Sequence, residues 1–306
     1  MIVSLEYMLA VIAVVILALL LVAPFEALKW WSREIDLSIP ETPASDESDS
    51  GPERFLVYLT GIGGSGDGLA RRELGFLERV ENRAPGTRLI TDVFPYSVTN
   101  NPLTGDRPLA WFFAAMHRAR LKAKSIFFEV WIGAKNVAQV AVCSDPRYGP
   151  IYNLGIAREV YAALLRHGYD PRKRTPIYLV GYSGGAQVAL GAACYLTRLP
   201  SKVSVVMVGG VFSSIPGLLL AHRVHCIVGS KDRTVWLGPL LFPGRWPIAA
   251  RSDWNKAKRR GKVSIIESGP MIHSGRGDYF TQSTTLPDGT TYADRTADLV
   301  ADFLRE

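Results

Sequence analysis

Cysteine is scarce in this chain: three among 306 residues, Cys143, Cys194 and Cys226. An odd number without metal-ligand spacing argues against a disulfide framework and against a cysteine-based metal site. They read as small apolar side chains in structured elements, in keeping with a reducing compartment. Histidine is sparse too: His117, His167, His222, His225 and His273. The Gly-rich stretch Thr60-Gly61-Ile62-Gly63-Gly64-Ser65-Gly66 lacks the Gly-Lys-Ser/Thr ending of a phosphate loop. It also lacks a clean G-x-G-x-x-G, so the two usual nucleotide signatures are missing. No internal repeat is visible. No metal and no cofactor is expected.

What is present is Gly181-Tyr182-Ser183-Gly184-Gly185 in a telling context. Pro176-Ile177-Tyr178-Leu179-Val180 is a short apolar run between Pro and Gly and predicts a buried strand. Ala186 to Leu196 is rich in Ala and Leu and predicts a helix. The G-x-S-x-G therefore sits at a strand-to-helix turn, where a nucleophilic serine is held clear of the backbone. Small residues on either side let strand and helix pass closely. The N–H of Gly184 is placed to stabilise negative charge developing on a substrate carbonyl. The plain alternative is an ordinary Gly-rich turn.

An acid and then a base are sought downstream of Ser183. Val203–Val208 and Val224–Val228 predict strands, and Asp232 lies just past the second. The carboxyl ends of strands are where open α/β sheets bind ligands. Its alternative is a turn Asp that satisfies nearby backbone N–H groups. Val263–Glu267 predicts the last strand, and His273 is in the loop after it. Among the five histidines, His273 alone lies both after Asp232 and just past a strand. It is the expected general base; His225 falls inside a strand and reads as a packing residue. A second oxyanion donor is expected in the loop after the predicted strand Arg54–Leu59, from Ile62 or Gly63.

On these residues the stretch 53–306 resembles the α/β-hydrolase superfamily of serine esterases and lipases. The matching parts are the elbow 181–185, Asp232, His273 and the Gly-rich loop 60–66, in the family's order. The resemblance implies an α/β fold, a mostly parallel sheet flanked by helices, and a Ser183-Asp232-His273 triad. One departure is Thr60-Gly61 in place of the His-Gly pair common before the oxyanion donor.

Tyr7 to Ala23 carries no charged or strongly polar side chain. As a helix it reaches about 26 Å, close to the thickness of a bilayer core, with Trp30 and Trp31 placed for an aromatic belt. A cleaved signal peptide needs a basic start and a small-residue cleavage site, and neither is seen. The expectation is a single transmembrane helix within residues 1–31, followed by an acidic Ser/Pro tether, 32–52, and a hydrolase domain, 53–306. Lys29 and Arg33 follow the span and no basic residue precedes it, which predicts a cytoplasmic domain.

The first 52 residues hold two basic and eight acidic side chains, against 35 and 28 in the whole chain. Residues 53–306 therefore hold 33 and 20, a net of +13. Such a domain beside an anionic leaflet is drawn to it. The basic run Lys256–Lys262 lacks aromatic interleaving and reads as a solvated helix end or membrane-facing patch, so no nucleic-acid partner is expected. Segments 102–131 and 236–250 interrupt the βα alternation and are candidate lid elements. Within the second, Trp236 and Leu240 are expected to line an acyl pocket, with Tyr182 contributing beside the serine. The function expected is cleavage of a lipid or acyl ester at a membrane surface. The alternatives are a thioesterase or acyltransferase with the same triad, and a non-catalytic membrane scaffold of the same fold.

Overall fold

The computed structural model describes residues 51–62, 69–93 and 136–306. The predicted span 7–23, most of the tether, Gly63 and the candidate lid 102–131 lie outside the described residues. Among the described residues, no helix is long and apolar enough to cross a membrane.

Six strands form one parallel sheet: β1 (Arg54–Leu59), β2 (Thr87–Ile90), β3 (Ile177–Tyr182), β4 (Val203–Val208), β5 (Val224–Gly229) and β6 (Val263–Gly269). Their order is β2-β1-β3-β4-β5-β6. The helices are α1 (Arg71–Arg83), α2 (Gly149–Arg166), α3 (Gly185–Leu196), α4 (Gly217–Leu220), α5 (Leu237–Leu241), α6 (Asp253–Arg259) and α7 (Tyr292–Leu304), and residues 136–144 are also helical. This α/β architecture, with helices on both faces of the sheet, is consistent with the α/β-hydrolase fold that the resemblance implies.

The sheet is buried on both faces, and the strands show why. Along β3, Ile177 and Leu179 join the core shared with α2 and α3. Tyr178, Val180 and Tyr182 point the other way, into the core shared with α1 and α7. Successive side chains of a strand alternate faces, so a run with no polar member feeds two cores at once. Helix α1 buries Phe76, Leu77 and Val80 along one stripe, as its spacing requires. Helix α3 lies at the centre of its layer and is buried on nearly every side.

Boundaries moved where edges and caps decide them. Arg88–Phe94 reads in the sequence as a strand, and among the described residues β2 runs Thr87–Ile90, an edge strand paired with β1 alone. Asp67 to Arg83 reads in the sequence as a helix; Asp67 lies outside the described residues, and α1 begins at Arg71, where Glu73 turns back to accept the Ala70 N–H at 3.0 Å. Tyr152 to His167 reads in the sequence as a helix, and α2 starts earlier, at Gly149, with Pro150 in its first turn, where a missing N–H costs nothing.

The chain runs from β1 outward to β2, then crosses back over β1 to β3 and continues the other way. The strand order reverses between β1 and β3, which opens a crevice at their carboxyl ends. The loops after β1, β3, β5 and β6 all emerge on that edge.

Candidate active site

Ser183 follows β3 directly and has φ of +53°, a left-handed value that a serine adopts at a cost. The turn is tied on each side. Its N–H donates to the Val208 carbonyl at 3.0 Å, and its own carbonyl accepts from Val211 at 3.1 Å and Ala186 at 3.2 Å. Two glycines make the crossing possible. A side chain at Gly185 would meet the Leu59 carbonyl oxygen at 2.2 Å, and one at Gly181 would meet the Gly185 oxygen at 2.5 Å. The close passage of strand and helix is thus obligatory in this sequence.

The structure brings three of the sequence-predicted residues into one line. Ser183 Oγ lies 2.8 Å from His273 Nε2, and His273 Nδ1 lies 2.9 Å from Asp232 Oδ2. A carboxylate has only acceptors, so the shared proton sits on Nδ1 and leaves Nε2 free to accept. Asp232 also accepts the Thr234 N–H on Oδ1 at 2.9 Å. One carboxylate oxygen thus caps the turn and the other faces the histidine. Burial pushes the Asp232 carboxyl upward in pKa. Hydrogen bonds from His273 and Tyr279 outweigh that and hold it below the ordinary carboxylate value.

Tyr279 is a participant that the sequence did not disclose. Its hydroxyl donates to Asp232 Oδ2 at 2.7 Å and accepts the Gly229 N–H at 2.8 Å. Burial, and then the Asp232 charge, drive its phenol pKa well up, so it stays a donor. Tyr182 has a second part besides the one expected. It does border the cavity, but its hydroxyl donates to the His273 backbone carbonyl, and its ring stacks on the imidazole at 5.6 Å. It braces the base.

Glu73 was missed as well, although a signal existed: an acid in the apolar stripe of α1. It is buried and accepts from Tyr58 at 2.9 Å and from Thr60 at 2.7 Å. It thereby anchors the start of the Gly-rich loop. Gly61 passes so near the nucleophile turn that a Cβ there would meet Ser183 Cβ at 3.0 Å. The Ile62 carbonyl is held by Asn136 Nδ2 at 2.5 Å. Ile62 and Gly184 both border the site. Arg72, at the rim, pairs with the buried Asp278, whose segment bridges back to Ile272 beside His273.

Ser183 and His273 open into a cavity of about 410 Å³ with mainly apolar walls. Those walls include Ile62, Val137, Val140 and Val211, with Leu237 and Leu241 from α5. Trp236 and Leu240, expected as pocket residues, do not line it. They are 71% and 70% exposed. The short helix turns the 237/241 pair inward, and its neighbours, rotated by about 100°, point out.

Among the described residues, His167, His222 and His225 stand apart from this cavity. His225 is buried, bonded to Ser264 at 2.8 Å and stacked 3.9 Å from Phe303, as a packing residue should be. His167 pairs with Asp92 at 3.2 Å. All three cysteines are free, and burial raises each thiol's pKa.

No family model and no curated protein matches the chain. Solved structures similar to it at low identity include two dienelactone hydrolase-type proteins. One is a dienelactone hydrolase-like promiscuous phosphotriesterase from metagenomic libraries: 14% identity, 85% of this chain and 89% of that chain covered, TM-score 0.45. The other is a dienelactone hydrolase from Anabaena variabilis ATCC 29413: 14% identity, 82% and 85% covered, TM-score 0.36. Likeness at that level says nothing of this chain's chemistry, which rests on the site geometry.

Proposed function

We propose that this protein is a serine hydrolase that cleaves esters by acyl transfer. The observation that carries the reading is the unbroken line Ser183–His273–Asp232 at the floor of an apolar cavity. Its links are 2.8 and 2.9 Å long, and the serine sits on a strained turn.

The chemistry follows from that geometry. Ser183 Oγ attacks the ester carbonyl carbon while His273 Nε2 removes its proton. Asp232 holds Nδ1–H and balances the imidazolium that forms. The Gly184 N–H, with an N–H from Ile62 or Gly63, receives the oxyanion. Collapse expels the alcohol, which takes its proton from Nε2 and leaves an acyl group on Ser183. Water, deprotonated by the same imidazole, then releases the acid and restores the serine. The apolar walls favour an apolar acyl or alcohol group over a charged one.

Residues 7–23 as an anchor, with the hydrolase domain cytoplasmic, complete the proposal. They would confine the enzyme to a bilayer where such esters concentrate. Thiol esters fit the same mechanism, with a thiol as leaving group.

A fluorophosphonate probe tests the nucleophile directly. The wild-type chain is expected to label stoichiometrically and Ser183→Ala not at all, with its circular dichroism unchanged. Full labelling of Ser183→Ala would sink the assignment.

A further inference from the structure

One stretch of surface is out of keeping with the rest. Trp236, Leu237, Leu240, Leu241, Trp246 and Ile248 are all exposed, from 41% to 87%. Large apolar patches on a protein surface mark a place where something binds.

The backbone under this patch is pinned. The Arg245 guanidinium lies 3.9 Å from the Phe212 ring centre and 4.6 Å from that of Trp254. The Trp246 indole N–H donates to the Pro239 carbonyl, joining the two halves of the stretch. Asn255 Nδ2 donates to the carbonyls of Trp246 at 2.7 Å and Ala249 at 3.0 Å. The exposed side chains thus stand on a fixed platform.

Two further features say what the platform meets. Leu237 and Leu241 belong both to it and to the wall of the catalytic cavity, so the apolar surface runs into the cavity mouth. Within residues 231–251 the exposed charges have one sign. Lys231, Arg233 and Arg251 are exposed, and the single acid between residues 231 and 251 is Asp232, buried against His273. Tryptophan and leucine flanked along the stretch by Arg and Lys, with no exposed carboxylate between residues 231 and 251, suit the boundary between headgroups and acyl chains.

We propose that this face docks on an anionic lipid surface, with Trp236, Leu240 and Ile248 entering the boundary layer and the cavity mouth opening onto it. The net +13 of residues 53–306 is complementary to such a surface. The apolar run Tyr7–Ala23 places a second membrane-seeking element in the same chain. Residues 32–52, fully extended, reach about 70 Å at most, which leaves the platform free to meet the same leaflet. The docking deepens the hydrolase reading by giving the apolar cavity its source of substrate, but it stands on surface chemistry alone.

The test uses the full chain in vesicles of phosphatidylcholine with phosphatidylglycerol. A nitroxide is attached at Leu240→Cys, and in a second variant at Lys202→Cys, an exposed site preceding β4 on the opposite edge of the sheet. The native thiols are buried or half-buried, and a labelled wild-type chain supplies the background. Relaxation by oxygen, which enriches in lipid, is compared with relaxation by a water-soluble nickel chelate. Docking is expected to shift the label at 240 from nickel access to oxygen access, while the label at 202 stays open to nickel. Equal nickel access at both positions would overturn the proposal. So would shielding of position 240 from both agents in detergent as well as in vesicles, since protein would then cover the face, whether a second copy or residues 102–131. Fluorophosphonate labelling of the same samples reports on Ser183 independently of either result.

Discussion

At the scale of single residues, the site depends on Ser183 staying at a backbone angle that disfavours it. A left-handed φ costs a residue with a Cβ about 1–2 kcal/mol. In ordinary positions alanine is more stabilising than glycine. At 183 the order should invert, with Ser183→Gly more stable than Ser183→Ala by about 1 kcal/mol in urea unfolding. Equal midpoints would mean that the turn is not strained. Asp232 gives a pH signature with a definite sign. Its folded pKa is depressed, so its contribution to stability is present above the unfolded value, about 3.9, and is lost as pH falls through the lower folded value. Tyr279→Phe removes a donor from the carboxylate and should move that loss to higher pH. It also strips Gly229 N–H of its acceptor, a cost of about 1–3 kcal/mol. Thermal melts across the acid range, wild type against Tyr279→Phe, read both effects. Coincident profiles would mean that the Tyr279–Asp232 bond carries no weight.

At the scale of elements, the elbow is a packing problem solved by absent side chains. Gly185 lets α3 start against the end of β1, where a Cβ would lie 2.2 Å from the Leu59 oxygen and 2.6 Å from the Thr60 oxygen. Gly185→Ala must push the helix away from the strand, at a cost of about 3 kcal/mol, and must carry the Gly184 N–H out of line. The expected result is a lower unfolding midpoint together with a loss of fluorophosphonate labelling. Gly168, with φ of +88° and open space around it, is the comparison: alanine there should cost only backbone strain and leave labelling intact. A Gly185→Ala chain that labels at the wild-type rate would show the close passage to be dispensable.

At the scale of the whole molecule, the proposal is an enzyme held at a surface in two ways, by the run 7–23 and by the platform beside the cavity. Carbonate-washed membranes are expected to retain the full chain. Protease added to intact cells should spare the domain and cytosolic markers alike. Digestion of the domain while those markers survive would reverse the orientation drawn from Lys29 and Arg33.

Much of this was legible in the sequence because it is local. Strands buried on both faces are runs of apolar residues whatever they pack against, so β3, β4 and β5 stood out in the bare chain. A G-x-S-x-G between a strand and an Ala-rich helix allows few geometries, and with Ser183 placed, chain order pointed to Asp232 and His273. What required the tertiary structure is non-local. Tyr279 reaches Asp232 because the loop after β6 folds back over β5, and no spacing along the chain encodes that return. Glu73 sits in an apolar stripe, yet only the neighbouring strand end shows that Tyr58 and Thr60 await it. In residues 236–241, two apolar pairs share the same spacing, so periodicity cannot choose between them. In the folded chain Gly238 is buried against Arg245, Leu237 and Leu241 reach the cavity wall, and Trp236 and Leu240 face outward.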